Sequence, residues 1–148
     1  MPVHGLSHIT LLARDLDAME RLLVGALDAR KVYDSGDKTF SLSRERFYLI
    51  GDGPAPVWLA TMQGEPPPRC YQHVAFAIDD AEIDARLARL AALGVEVCPP
   101  RPRVAGEGRS IYFYSPDGHL FELHAGTLEA RLARYGRDEA VGGGAQRP

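Results

Sequence analysis

Cysteine is scarce in this 148-residue chain: Cys70 and Cys98 are the only two. They lie outside any CxxC spacing and are expected to stay reduced rather than pair. Long apolar runs are missing too. No stretch approaches membrane-spanning length and no signal-peptide pattern opens the chain, so a cytoplasmic protein with no membrane partner is expected. An excess of positive charge is also absent. Seventeen Lys and Arg against 20 Asp and Glu leave a net charge of −3, which argues against nucleic acid as the main partner. The charge is unevenly spread, however, with Arg101, Arg103 and Arg109 close together. The 45% apolar and 25% charged residues are ordinary for a globular protein, and the length suits one domain or two small halves sharing a core.

Ser110 to Gly126, SIYFYSPDGHLFELHAG, reads as two strands joined by a Ser-Pro-Asp-Gly turn, with Pro116 presetting φ and Gly118 supplying a permissive backbone. Alternation puts Ser110, Tyr112 and Tyr114 on one face of the incoming strand, and Leu120, Glu122 and His124 on one face of the outgoing strand. A carboxylate inside an apolar strand is the anomaly, because buried Glu is rare unless paired or metal-bound.

From the start, Gly5–Ala13 reads as a strand with His8 and Thr10 on one face, and Asp15 or Asp17 as the cap of a helix over 18–27. Strands are expected at 31–33, 39–43, 47–50 and 57–62, with Arg44-Glu45-Arg46 as a charged hairpin turn. Glu65-Pro66-Pro67-Pro68 reads as an extended connector. The pattern then restarts: a strand at 70–78, Asp79-Asp80 as a cap, and a helix over 81–93 with Ile83, Leu87, Leu90 and Leu93 inward, ended by Gly94. A strand at 95–98, a Pro/Arg/Gly loop and the Ser110 hairpin complete it. His8 precedes Asp15 by seven residues, and His73 precedes Asp80 by the same seven. Internal repetition of this kind defines an α+β fold of paired βαβββ modules closing a barrel-like sheet. The expected organisation is a module at 1–64, a Pro-rich linker at 65–69, a second module at 70–127, and a short helix with a disordered tail over 128–148.

Repeat equivalence makes His8 and His73 partners across a pseudo-twofold axis, and Glu122 aligns with Ala60 of the first half. Two imidazoles and one carboxylate would form a three-ligand divalent-metal site with open positions, and oxygen and nitrogen donors suit Mn²⁺ or Fe²⁺, with Zn²⁺ an alternative. On the residues alone a second reading stays open: hydrogen-bonded strand histidines and a solvent-facing glutamate. His124 competes as ligand or supports Glu122; His4 and His119 read as solvated, and Cys70 as packing. Tyr71, sharing a face with His73, could add a hydroxyl. Taken alone, Glu45 reads as a surface glutamate between salt-bridge partners.

At GLSHIT, YQHVAF and HLFELHAG the chain resembles the vicinal oxygen chelate (glyoxalase-like) superfamily. At SGDKTFSLSRERFYLI and RPRVAGEGRSIYFY it resembles the fosfomycin resistance epoxide hydrolases of the FosX type. The likeness runs from about Gly5 to Tyr135. It implies Mn²⁺ held by His8, His73 and Glu122, and a general base at Glu45. It further implies a homodimer whose glyoxalase-like barrels combine halves of both chains, each site taking ligands from two subunits. The implied activity is addition of water to the epoxide of fosfomycin, a small phosphonate. Thr10, Ser110, Tyr112 and Arg131 are the implied phosphonate contacts; Arg103 and Arg109 join them as loop arginines. The insertion-like GDGPAP and the run of prolines depart from the pattern. The rival readings are a thiol transferase acting on the same drug, an Fe²⁺ extradiol dioxygenase and a non-catalytic drug-sequestering protein.

Overall fold

Asp15 shows how the first half is punctuated. Its carboxylate accepts from the backbone N–H of Asp17 and of Ala18, at 2.9 and 3.0 Å, and those bonds hold it below the usual carboxylate range. A helix therefore starts at once, and Met19, Leu22, Leu23 and Ala26 fall on its buried face. The structure, a computed structural model, describes residues 2–102 and 105–142. In chain order it contains β1 (His8–Ala13), α1 (Leu16–Leu27), β2 (Arg30–Asp34), β3 (Glu45–Ile50) and β4 (Val57–Gln63). After the Pro-rich segment come β5 (His73–Ala77), α2 (Ile83–Ala92), β6 (Ser110–Tyr114), β7 (Leu120–His124) and α3 (Leu128–Gly142). No helix among the described residues is long and apolar enough to cross a membrane.

The strands form two sheets, ordered β1-β4-β3-β2 and β5-β7-β6, and in each the first strand runs parallel to the last. One apolar cluster joins both sheets to α1 and α2. It contains Met19 and Leu23 of α1, Ile83 and Leu90 of α2, Tyr48 and Leu59 of the first sheet, and Phe113 and Phe121 of the second. The helices meet at Gly25, where an added Cβ would lie 2.7 Å from Leu93 Cδ1. His119 Nε2, 2.6 Å from the Leu12 carbonyl oxygen, ties the β6–β7 turn to β1. His119 is thus a half-buried tie between the sheets rather than a solvated turn residue. Each sheet turns one face to this cluster and leaves the other outside it.

Several expected elements differ. Residues 39–43 form no strand, with bends at 40–43, and Arg44-Glu45-Arg46 is no turn: β3 begins at Glu45. Residues 95–98 contribute a single bridge, Val97 with Phe113, so the second sheet has three strands. A 3-10 turn, Asp80–Glu82, precedes α2, and Asp79 makes no side-chain capping bond. Leu87 and Leu93 are partly exposed, and Cys70 is exposed rather than packed. Residues 136–142 continue α3 rather than forming a tail, and residues 143–148 lie outside the described residues.

Arg46 accounts for β3. Its side chain is buried against α1, with Asp17, Glu20 and Asp34 each 2.8 Å away. Tyr48, two positions on along the same face, donates to Glu20 at 3.2 Å. Its phenol is pushed up to about 12, first by burial and then by the Glu20 charge. Replacing Arg46 by Ala would leave three carboxylates facing one another. Because these are partly solvated, the expected loss is about 2 kcal/mol, less than for a fully buried pair. A thermal melt should fall by roughly 4–8 °C; an unchanged melt would remove Arg46 as the anchor of β3.

Candidate metal centre

Alternation along β3 sends Glu45 to the face opposite Arg46, away from α1. The strand registers complete that open face. Three cross-strand rows run Leu12–Met62–Glu45, Thr10–Ala60–Phe47 and His8–Trp58–Leu49. His8 and Thr10 are exposed there, and the His8 ring lies 4.4 Å from Trp58, centroid to centroid. Glu45 is 9% exposed, yet its carboxylate makes no hydrogen bond or ion pair among the described residues. Only its backbone is held, by the Ser35 hydroxyl and the Ser35 N–H.

The corresponding face of the second sheet carries the other candidates. β6 pairs with β7 so that Ser110 lies opposite His124 and Tyr112 opposite Glu122. Glu122, 5% exposed, answers the anomaly of a carboxylate in an apolar strand. Ser110 Oγ donates to Glu122 Oε1 at 2.6 Å, the length of a charge-assisted bond. The Tyr112 phenol, opposite Glu122 across the strands, has its pKa raised by burial first, then by the Tyr71 hydroxyl and the Glu122 charge.

His73 tests whether a metal suits the site. Its Nδ1 is 2.9 Å from the Tyr71 carbonyl oxygen, which can only accept, so Nδ1 holds the proton. Nε2 then presents a lone pair, and it faces Glu122 Oε2 at 3.1 Å. Two acceptors at that distance need a cation or a proton between them. An imidazole and a carboxylate without thiolate fit Mn²⁺, Fe²⁺ or Zn²⁺. His8 stands on the other sheet, and among the described residues no three His, Cys, Asp or Glu side chains of one chain gather around a common point.

Beside the pair lies a cavity of about 260 Å³, walled by Tyr71, Arg101, Ser110, Tyr112, His124 and Arg131. The Arg101 guanidinium sits 5.3 and 5.5 Å from the Tyr71 and Tyr112 ring centroids, with no carboxylate in ion-pair contact among the described residues. Arg101 was not singled out in the sequence as a contact; its place in the Arg-Pro-Arg run was the signal. Arg103 lies outside the described residues. Arg109 turns away, clamped on Asp80 and Asp84, and Glu107 pairs with Arg134 of α3, which closes the loop onto that helix. Thus His73, Glu122, Tyr112 and Ser110 gather on the second sheet with Tyr71 just before β5 and Arg131 of α3 beside them, while His8, Thr10 and Glu45 share the open face of the first.

A family model described as the Glyoxalase/Bleomycin resistance protein/Dioxygenase superfamily matches residues 5–123, and the chain belongs to that superfamily. Within it, the chain is 57% identical over 133 residues to the fosfomycin resistance protein FosX of Mesorhizobium japonicum, covering 89% of this chain and 93% of that one. FosX of Listeria monocytogenes is 52% identical over 134 residues, 90% and 98% of the two chains. A crystal structure of a glutamate-to-glutamine variant of the Listeria protein, complexed with Mn(II) and 1S,2S-dihydroxypropylphosphonic acid, superposes with a TM-score of 0.81. It is 54% identical and covers 90% of this chain and all of that one.

Proposed function

We infer that the chain is a Mn²⁺-dependent epoxide hydrolase that opens fosfomycin with water to the diol phosphonate, and so confers resistance to the drug. The relatives support this: a FosX structure holds Mn(II) together with the dihydroxypropylphosphonate. Within this chain, the observation that carries water addition is Glu45, a largely buried residue on the face of His8 and Thr10 whose carboxylate has no hydrogen-bond or ion-pair partner among the described residues.

His73 and Glu122 would hold the metal from one subunit and His8 from the other, in a homodimer whose half-sites close face to face. The metal, when bound, supplies a Lewis acid for the epoxide oxygen. Glu45 takes the proton from the attacking water; such a base needs free lone pairs, and among the described residues its carboxylate engages none of them. Arg131, Tyr71 and Tyr112 would donate to the phosphonate from one subunit and Thr10 from the other, with Arg101 adding charge at the cavity. Arg103 and Ser110 belong to the same expected set, but the Ser110 proton is already committed to Glu122. A cavity of about 260 Å³ suits a small anion, being below the roughly 300–1,000 Å³ of drug-sized pockets. Two unpaired cysteines support a reducing, cytoplasmic setting.

The test is ³¹P NMR of fosfomycin incubated with metal-free protein plus Mn²⁺, with and without thiol. Conversion to the diol without thiol is expected. Conversion only with thiol would move the chain to the transferase reading, and no conversion with Mn²⁺ bound would overturn the substrate.

A further inference from the structure

His124 Nδ1 stands 3.5 Å from Glu122 Oε1, the carboxylate oxygen turned away from His73, and the hydrogen bonds around the ring run one way. A serine hydroxyl has one proton, and Ser110 gives it to Glu122 Oε1. The 2.8 Å contact between Ser110 Oγ and His124 Nδ1 can then be made only with the ring donating. Nδ1 therefore carries the proton and Nε2 a lone pair. At 3.4 Å from Nε2 stands Nη2 of Arg131, a group that can only donate. The direction of every link follows: Arg131 to His124, His124 to Ser110, Ser110 to Glu122. Glu122 Oε1 is thus occupied, and Oε2 is the oxygen left facing His73.

The surroundings keep the ring in place. Gly126 lies against it: a Cβ there would sit 2.5 Å from His124 Nε2 and 2.6 Å from the Glu107 carbonyl oxygen. A bare backbone at 126 leaves the ring edge open to Arg131, one turn into α3.

We propose that His124 is a positioning residue: through Ser110 it fixes which oxygen of Glu122 faces the metal, and through Nε2 it holds Arg131 at the rim of the cavity. This rests on the reading of His73 and Glu122 as metal ligands. Partners that orient a ligating carboxylate change metal affinity by about 10- to 100-fold when removed.

The experiment titrates Mn²⁺ into metal-free full-length protein and follows free Mn²⁺ by electron paramagnetic resonance, a readout independent of turnover. His124→Phe is expected to weaken Mn²⁺ binding about 10- to 100-fold. Ser110→Ala should do the same, and the double variant should be no worse than the weaker single one, because the two act in series. His124→Asn, whose amide nitrogen can donate to Ser110 as Nδ1 does, should recover most of the affinity. His124→Gln, whose amide reaches toward Arg131 instead, should not. Wild-type affinity in His124→Phe, or losses that multiply in the double variant, would overturn the role. If His124→Phe fails to fold, the Asn and Gln variants decide, and equal affinities in those two would overturn it. Failure of wild-type protein to turn over fosfomycin would sink the substrate reading and leave these affinities to be judged alone.

Discussion

Glu45→Gln is expected to reduce fosfomycin hydrolysis by about 10²- to 10⁴-fold, the range for loss of a positioned general base. The amide keeps the shape of the carboxylate but cannot take a proton from water. The loss should fall on kcat, with KM and Mn²⁺ affinity close to wild type, since Glu45 lies on the sheet opposite to His73 and Glu122. Stability should not fall, because among the described residues the carboxylate makes no hydrogen bond or ion pair that glutamine would break. Steady-state kinetics with Mn²⁺ saturating are the check. An undiminished kcat would return Glu45 to a structural carboxylate and leave the attacking water without a base.

The second large effect concerns where the site is assembled. His8→Ala and Glu122→Ala homodimers should each be inactive, because each removes a proposed ligand from both sites. In a mixture that has exchanged subunits at random, half the dimers are mixed, and each of these holds one site with both changes and one with neither. Activity should therefore return to roughly a quarter of wild type, as a site shared across a two-fold interface requires. Complementation is possible only if the ligands come from different chains. Two dead proteins that stay dead after exchange, with mixed dimers shown by mass spectrometry, would place the whole site within one chain.

The parts of this molecule readable from sequence are those with a local signal. Asp15, the helical spacing of Met19, Leu22 and Leu23, and the alternation of Ser110–Tyr114 against Leu120–His124 all appear where periodicity and capping chemistry put them. The start of β3 escaped because its reason is not local. Arg44-Glu45-Arg46 has the polarity of a turn, and only Asp17, Glu20 and Asp34, brought in by α1 and β2, make Arg46 a buried residue and Glu45 its opposite-facing neighbour. His119 was misread for the same reason: a histidine in a turn is ordinarily wet, and nothing near it in sequence announces the Leu12 carbonyl 107 residues earlier. Residues 95–98 carry a strand's composition, yet most of their backbone pairing reduces to one bridge. Glu122 was conspicuous as a charge in an apolar strand, but the direction of its hydrogen bonds emerges only from atoms in place.

The His119–Leu12 bond belongs with a second clasp, in which Asp28, at the left-handed end of α1 with φ 52°, receives both Arg86 and Arg89 of α2. With Phe113, Phe121, Tyr48 and Leu59 in one cluster between these ties, neither repeat has a core of its own to fall back on. The duplication visible in the sequence has thus been erased as a thermodynamic division. The two repeats form one cooperative unit, and loosening the β1 end of the first transmits directly to the turn joining β6 and β7, the strands that carry Ser110, Tyr112 and Glu122. Whatever distance separates the open faces of the two sheets is thereby a rigid dimension of the fold, and if the proposed site is shared between subunits, fitting the cation would fall to the rotation of one chain against the other.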